Sequence, residues 1–554
     1  MTNALRLLCL AAALALGLAA PARAAKDELV IGLTQFPSTF HPSIDSMLAK
    51  TYILSMARRP ITAYDPSWTL VCMLCEELPT FENGLAKREK TPDGRQGVAL
   101  TYRLRADAQW ADGRPMTSDD VLFTWTVGRH PRSGVSNSEL YRRILKVEAK
   151  DARTFVLHLD RLTFDYNAVN DFHILPAHVE KPRFEAGDAA DYRNRTAFDQ
   201  DTANPGLYNG PFRITQVVQG SHVVLEANPH WGGAKPAFRR IVVKTVENTA
   251  ALEANLLAGG VDVIAGELGL PLEQAIAFEA RNDPRFAIVY KPSLVYEHLD
   301  VNHSSPILAD RRVRQALMLG IDREALSRQL FAGRQQVADA SVPPLDWVHT
   351  DELTKYRFDP AAAGRLLDEA GWALAGGVRR NAKGEPLALE LGTTAGNRSR
   401  ELVAQVLQAQ WRTIGADVRL KSEPPRIFFG ETVTKRRFPH LAMFAWYSAP
   451  ESVPRSTLHS TMIPAEANGW AGQNYGGYAS PEMDKLIDAI ELEIDRGKRK
   501  ALWVDLQKLY ADDLPALPLF FRSDAYILPT RLKGVTPTGH QDPSTLWVED
   551  WRWE

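Results

Sequence analysis

Cys72 and Cys75 are the residues whose types and spacing most directly suggest chemistry. Two thiols separated by two residues can form a disulfide, exchange electrons or share a metal ion. The sequence has no second Cys or His pair at a metal-ligand spacing, which argues against a zinc site. A disulfide between these positions would be strained if both lay on one helix. The favoured interpretation is structural, as a local disulfide or two small buried side chains, and a thiol-redox role stays open.

The common catalytic signatures are missing from the 554 residues. The sequence contains no G-x-S-x-G, H-E-x-x-H or G-x-x-x-x-G-K-[ST] motif, the marks of serine hydrolases, zinc proteases and P-loop ATPases. Its 13 His residues follow no metal-ligand spacing. We therefore predict that the protein is not an enzyme and has no catalytic residue, metal site or cofactor. The alternative from the enzyme class is a secreted hydrolase with dispersed residues, or a thiol oxidoreductase that uses the two cysteines.

Residues 1–24 have the pattern of a cleavable export signal. Arg6 precedes an apolar run from Leu7 to Ala20, and Pro21-Ala-Arg-Ala24 supplies an A-x-A cleavage site. The apolar run is shorter than the roughly 20 residues that span a bilayer. Cys9 does not follow a small residue at the end of this run, which argues against a lipid anchor. We predict export to the periplasm as a free protein.

The charge balance excludes two classes of partner. The chain has 65 Lys and Arg against 67 Asp and Glu, and removal of residues 1–24 changes its net charge from −2 to −4. A balance of this kind gives no reason to expect binding to nucleic acid or to an anionic membrane.

Residues 100–125, LTYRLRADAQWADGRPMTSDDVLFTW, show the clearest secondary-structure pattern in the chain. Leu100 and Tyr102 begin an alternating pattern that is typical of a half-buried strand. Asp112-Gly113 predicts a turn, and Thr117 stands where a helix N-cap would.

Similar patterns recur along the chain and predict an α/β fold of two to four domains. Ala186 to Asn204 is polar and predicts a surface connection. The other predicted strands are Leu29–Leu33, Thr154–Leu159, Phe212–Val217, His222–Ala227, Arg239–Val246, Glu297–Asn302, Val418–Lys421, Leu441–Tyr447 and Ala516–Phe521. The other predicted helices begin at Thr249 as a cap, after Asp310, at Pro360, at Arg398 and at Ser480-Pro481, with a further helix that ends before Pro515.

Four blocks together resemble the extracellular solute-binding protein family 5, the periplasmic dipeptide- and oligopeptide-binding proteins of ABC importers. They are the 100–125 run, NGPF at 209–212 with HVVLEANPHWGG at 222–233, LEANLLAGGVDVI at 252–264 and DRRVRQALMLGIDR at 310–323. The resemblance implies an α/β periplasmic-binding-protein type II fold with two hinged main lobes and an inserted α/β domain. The implied boundaries are lobe I at 26–65, 205–295 and 515–554, an inserted lobe II at 66–204, and lobe III at 296–514.

The resemblance also implies that a small-molecule ligand, a peptide or peptide-like solute, lies between lobes I and III along strand edges at Leu33–Phe36 and Met443–Tyr447. The partners would be the transmembrane permease subunits of an ABC transporter, and the protein itself a monomer. The residues expected to contact ligand are Thr34, Gln35, Phe36, Tyr296, Phe444, Trp446, Tyr447, Glu451, Asn474 and Tyr475. For each aromatic residue, ordinary core packing is the competing interpretation.

One departure from the family pattern concerns the ligand's amino terminus. Peptide-binding members carry an Asp after the second edge strand, but here the run is Trp446-Tyr-Ser-Ala-Pro-Glu451. An ammonium group buried without a partner charge costs several kcal/mol. Glu451 could substitute, or Asp45 or Glu297 could reach the site, with an ordinary surface position as the competing interpretation of Glu451. Otherwise the ligand is not a free-amine peptide, and an oligosaccharide, an opine, a nickel chelate or haem is the alternative.

Overall fold

Three larger β-sheets organise residues 27–554, the part of the chain that the computed structural model describes. The predicted export signal at 1–24 lies outside these residues. The first sheet has the strand order Val263–Ile264, Glu28–Leu33, Arg240–Thr245, His222–Ala227 and Phe212–Val218. The second has the order Gln336–Val337, Ala516–Pro529, Phe286–Val301, Leu441–Tyr447, Ala388–Thr394 and Asp417–Glu423. The third has the order Ala86–Lys90, Gln96–Arg103, Thr154–Leu159 and Ile144–Ala149.

Helices cover these sheets, so the α/β fold class predicted from the sequence is confirmed. Three two-stranded ribbons complete the β structure at Thr62–Tyr64 with Leu70–Cys72, Ala373–Ala375 with Val378–Arg380, and Leu532–Lys533 with Arg552–Trp553. The α-helices are Leu48–Ala57, Ser118–Arg129, Glu139–Arg143, Ala177–Glu185, Ala197–Gln200, Thr249–Ala258, Leu272–Glu279, Arg311–Leu319, Arg323–Phe331, Pro360–Glu369, Arg398–Thr413, Pro425–Ile427, Arg455–Leu458, Pro481–Leu492 and Arg496–Asp513. Within the described residues, no helix is long and apolar enough to cross a membrane.

Two long antiparallel strands run from one hydrophobic core to another. In the strand Ala516–Pro529, Leu517 and Leu519 pack in the core of the second sheet, while Ala525 and Ile527 pack against Val30 and other residues of the first sheet. The strand Phe286–Val301 pairs with it along most of its length, and the register shifts between Pro292 and Tyr296. Both strands are longer than the predicted Glu297–Asn302 and Ala516–Phe521. They continue as a paired ribbon beyond the core of the second sheet.

The structure differs from the sequence prediction at the helix cap near Thr249 and in the segment Ala186–Asn204. Asn248, not Thr249, caps its helix, since the Asn248 side chain accepts a hydrogen bond from the Ala251 amide at 2.8 Å. The segment from Ala186 to Asn204 is not a plain surface connection. It forms short helices and buries Tyr192 and Phe198 completely, and the Tyr192 hydroxyl donates to the buried Glu180 carboxylate at 2.5 Å.

Cys72 and Cys75 form a disulfide, which agrees with the local structural interpretation. Cys72 ends the strand Leu70–Cys72, and Cys75 forms an isolated bridge with Leu104. The strain expected for two cysteines on one helix therefore does not arise. The Cys75 side chain is almost completely buried, at 2% exposure.

Candidate functional site

A cavity of about 530 Å³ lies beside the two long paired strands, Phe286–Val301 and Ala516–Pro529. Its size is within the range of roughly 300 to 1,000 Å³ that is usual for small-molecule sites. Thr34 and Gln35 line it from the end of a first-sheet strand, and Trp446 and Tyr447 line it from the second sheet. Asp171 lines it from the segment that carries the third sheet. Residues from the segments that carry all three sheets thus line one cavity.

Nine of the ten residues predicted to contact ligand line this cavity: Thr34, Gln35, Tyr296, Phe444, Trp446, Tyr447, Glu451, Asn474 and Tyr475. Phe36 does not belong to the lining. It is 8% exposed and packs edge to face with Phe40 at a ring-centroid distance of 6.0 Å. The edge predicted at Leu33–Phe36 therefore offers Thr34 and Gln35 to the cavity, while Phe36 turns into the core.

The strand Leu441–Tyr447 has an open edge along its second half. One side pairs with Phe286–Val301 from Leu441 through Tyr447. On the other side, pairing with Ala388–Thr394 covers only Leu441 to Met443. The backbone from Phe444 onward is thus free on that side to pair with an extended ligand.

The aromatic residues differ in how much surface they offer. Trp446 stacks on Tyr475 at 5.8 Å with an interplanar angle of 25°, and it remains partly exposed. Tyr475 is 4% exposed and Phe444 is 1% exposed, so both mainly support Trp446. The Tyr296 hydroxyl hydrogen-bonds the Tyr510 hydroxyl at 2.8 Å within the core. Trp446 is therefore the aromatic side chain best placed to stack on a ligand.

Asn474 holds the loop that carries Tyr475. Its side-chain amide donates to the carbonyls of His459 and Tyr478, and its oxygen accepts from the Tyr478 amide at 3.0 Å. The side chain is 1% exposed, and these three hydrogen bonds all go to the backbone of residues 459–478. Asn474 thus shapes the cavity wall through the backbone it fixes.

Tyr447 joins the second sheet to two buried acids. Its hydroxyl donates to Asp524 Oδ1 at 2.6 Å and lies 3.2 Å from the carbonyl oxygen of Glu267. Burial raises the pKa of Asp524 to about 7, with Arg522 opposing the shift and the Glu267 carboxylate adding to it. Burial likewise raises the pKa of Glu267. Asp524 Oδ2 and Glu267 Oε2 are buried, and no donor among the described residues meets either oxygen with good hydrogen-bond geometry.

The three acids that the sequence suggested for an ammonium group all have cationic partners. Glu451 is paired with Arg499, and Asp45 Oδ2 lies 3.1 Å from Arg193. Glu297 accepts from Arg400 Nε at 2.7 Å and from Arg522 at 3.2 Å. Burial opposes ionisation of Glu297, but these two guanidinium groups hold its pKa below the usual range. The three carboxylates are already neutralised within the protein.

Sequence reasoning missed a second set of acids in the cavity wall: Asp165, Asp171, Asp346 and Asp542. They come from three separate stretches of the chain and belong to no motif, so no local signal points to them. Among the described residues, none of these four has a Lys or Arg within ion-pair distance. Residues 27–554 contain no group of three or more His, Cys, Asp or Glu that could hold a metal ion.

Comparison with known proteins gives consistent matches. Residues 80–463 match the model for bacterial extracellular solute-binding proteins, family 5 Middle. The oligopeptide-binding protein AppA of Bacillus subtilis is 25% identical over 524 residues, which cover 92% of this chain and 88% of that protein. The nickel-binding periplasmic protein of Escherichia coli is 24% identical over 505 residues, 90% of each chain. The crystal structure of an oligopeptide-binding protein from Thermus thermophilus, complexed with a pentapeptide, is 27% identical with a TM-score of 0.87, covering 95% of this chain and 96% of that one.

Proposed function

Because this chain belongs to the bacterial extracellular solute-binding proteins of family 5, we propose that it is the periplasmic substrate-binding component of an ABC importer. It binds a peptide or peptide-like solute in the cavity and delivers it to the transmembrane permease. The observation that carries the peptide assignment is the open strand edge from Phe444 to Tyr447, which borders the cavity. Main-chain groups on such an edge bind an extended backbone whatever its side chains are.

The lobe boundaries given by the resemblance are part of this proposal: lobe I at 26–65, 205–295 and 515–554, lobe II at 66–204, and lobe III at 296–514. The two long strands that leave one core for another support a hinge near Pro292 and Tyr296, where their register shifts. A ligand that contacts both sides of the cavity would favour the closed arrangement, and the permease would recognise that arrangement.

Export through cleavage after Ala24 and the absence of any enzymatic activity also belong to the proposal. The family membership supports both, since its members are extracellular solute-binding proteins. The site residues Thr34, Gln35, Tyr296, Phe444, Trp446, Tyr447 and Tyr475 would contact or enclose the ligand, whereas the carboxylate of Glu451 and the amide of Asn474 would act through the protein groups they bind.

The function is tested by identifying what the protein carries. Mass spectrometry of ligand that co-purifies with the protein is combined with a thermal-shift panel of peptides, oligosaccharides and a nickel chelate. A ligand at 100 times its Kd stabilises the folded state by about 2.7 kcal/mol, which is readily detected. Stabilisation by peptides is expected. Stabilisation by a sugar or a chelate, with no response to any peptide, would overturn peptide binding.

Trp446 provides a test of the location. Replacement of Trp446 by Ala removes the stacking surface and should weaken binding of a stabilising peptide about tenfold, consistent with about 1.4 kcal/mol. The control is Phe358→Ala, since Phe358 is 44% exposed and lies outside the cavity lining. Equal affinity in the Trp446 variant would place the ligand elsewhere.

A further inference from the structure

The charges that line the cavity are strongly unequal. Ten acidic residues but only five Lys or Arg residues contribute to its wall, although the whole chain is nearly balanced, with a net charge of −2. The excess of acid is therefore a local property of this cavity.

The five Lys and Arg side chains of the wall have more hydrogen-bond and ion-pair partners within the protein than several of its acids do. Lys50 donates to the backbone carbonyls of His41, Pro42, Ile44 and Asp45. Arg400 and Arg522 share the carboxylate of Glu297. The remaining two are Arg455, paired with Glu491, and Arg143, which donates to Thr163 and lies 4.0 Å from Asp160. Each of these cations already has oxygen partners within the protein.

Several acids on the same wall lack such partners. Asp542 Oδ2 accepts the Tyr64 amide at 2.9 Å, and within the described part of the chain the one basic side chain within 4.0 Å of it is His540. Asp171 is exposed to the cavity and bonds Asn137 at 2.5 Å. Asp165 has a buried Oδ1 to which no group of residues 27–554 donates. Burial raises the pKa of Asp542 to about 7, and the neighbouring Asp171 carboxylate adds to the shift.

Glu267 adds a further buried carboxyl group to this wall, beside the hydroxyl groups of Tyr526 and Ser544. Its side chain lines the cavity and is only 3% exposed. Oε1 accepts the Ser544 amide at 2.5 Å, whereas Oε2 is buried and no donor within residues 27–554 reaches it with good hydrogen-bond geometry. Ser544 is two residues from Asp542, so the two carboxyl groups belong to one region of the wall. A buried carboxylate oxygen without a donor costs free energy that a ligand N–H group would recover.

We propose that the cavity selects ligands with a cationic group, a primary ammonium or a guanidinium, which binds the acidic wall formed by Asp165, Asp171, Asp542 and Glu267. This inference rests on the proposed function, because it names the class of solute that the same cavity takes. An ammonium group has three N–H donors and a guanidinium has five, and charge-assisted bonds to carboxylates are stronger than neutral ones. The acidic wall takes over the neutralising role that Glu451, Asp45 and Glu297 cannot perform while they are ion-paired.

The test is isothermal titration calorimetry with four tetrapeptides of one length, which carry lysine or norleucine at one position and a free or acetylated amino terminus. Spermidine serves as a cation without a peptide backbone. The free-amine lysine peptide is expected to bind at least tenfold more tightly than the acetylated norleucine peptide. In the double variant Asp171→Asn, Asp542→Asn this ratio should fall below threefold, with little change for the neutral peptide. Asp505→Asn on an exposed helix face is the matched control and should retain the ratio.

The outcomes separate the two proposals. Equal affinity for the charged and neutral peptides, or a ratio that survives in the double variant, overturns the acidic wall and leaves peptide binding standing. Binding of spermidine without any peptide supports the wall and overturns peptide transport. Binding of neither class refutes both. Circular dichroism of each variant, matched to the wild-type spectrum, ensures that a lost ratio reports the wall and not unfolding.

Discussion

The Glu451 carboxylate is held by the Arg499 guanidinium, and the Trp347 indole donates to the same carboxylate at 3.0 Å. Arg499 is itself only 7% exposed. Glu451 adopts a left-handed backbone conformation, with φ of +51°, which its amide stabilises by donating to Asp346 Oδ2 at 2.7 Å. Glu451, which the sequence offered as a substitute for an anchoring Asp, is therefore part of a structural ion pair.

Replacement of Glu451 by Gln should affect folding more than binding. The change leaves the buried Arg499 without its partner charge and should lower the free energy of unfolding by about 3 kcal/mol. Urea unfolding measures this loss, with Glu451→Gln, Arg499→Met as the control that removes both charges and should restore part of it. A fully stable Glu451→Gln protein that no longer binds peptide would instead make Glu451 a ligand contact.

Asp524 should make stability fall as the pH rises. Its pKa is about 7 in the folded protein, against an ordinary value of 3.8, so the folded state holds a proton that the unfolded state has released between these values. The unfolded state then binds fewer protons, and the free energy of unfolding falls with pH over this window. Below about pH 4 the full stability from this group is present, and above about pH 7 the loss is complete.

Replacement of Asp524 by Asn tests this dependence, because Asn still accepts the Tyr447 hydroxyl but does not ionise. As the pH rises from about 4 to about 7, the free energy of unfolding of the variant should increase relative to that of the wild type by about 2 to 4 kcal/mol. Above this range the difference should stay constant. Denaturant unfolding at several pH values measures it. A difference that does not change with pH would contradict the assigned titration.

Arg161 should contribute to closure of the cavity. Arg161 lies between the third-sheet strand Thr154–Leu159 and Phe164, and its guanidinium contacts Glu491 of the helix Pro481–Leu492 at 3.2 Å. The Phe164 amide also donates to the Glu491 carbonyl at 3.0 Å. These contacts bridge the segments proposed as lobes II and III.

The replacement Arg161→Gln should weaken ligand binding only about threefold, since Glu491 keeps Arg455 as an ion-pair partner when Arg161 is removed. Small-angle X-ray scattering of the ligand-free variant should show a larger radius of gyration than that of the wild type, and the wild type should respond in the same direction to added salt. An unchanged radius together with unchanged affinity would remove this bridge from the closing motion.

Replacement of Cys72 and Cys75 by Ser should leave ligand affinity unchanged. The disulfide closes a very short loop, for which the chain-entropy relation gives a stability loss of about 2 kcal/mol. Thermal unfolding with and without reductant should show this loss in the wild type, and the double Ser variant should not respond to reductant. Lost binding in the Ser variant, or a thiol-exchange activity in the wild type, would support the redox alternative.

The sequence predicts features that depend on neighbouring residues better than features that depend on contacts between residues far apart in the chain. Capping is local, so Ser480 and Pro481 were correctly placed at the start of their helix, where Ser480 Oγ accepts the Met483 amide at 3.3 Å. The pairing of Glu297 with Arg400 joins residues 103 positions apart. No pattern of neighbouring residues encodes such a contact.

The same limit explains the candidate site. The resemblance pointed to two strand edges and a nearby aromatic cluster, and nine of the ten positions expected there line the cavity. It could not show that Asn474 is saturated by its own loop, nor that Phe36 turns inward, since both depend on how the chain packs in three dimensions. Asp171 and Asp542 are distant in sequence and lie in irregular segments, so only the folded chain shows that they face one cavity.

The short helix Ser544–Asp550 lies against the helix Leu48–Ala57, and the Thr545 hydroxyl donates to the Tyr52 carbonyl across a separation of 493 residues. The Arg59 guanidinium likewise binds Glu549. During synthesis, the early helix therefore emerges from the ribosome long before its covering partner exists, at a rate of roughly 5 to 20 residues per second. For that interval of at least about 25 seconds, the nascent polypeptide lacks a finished first core and cannot complete its native packing.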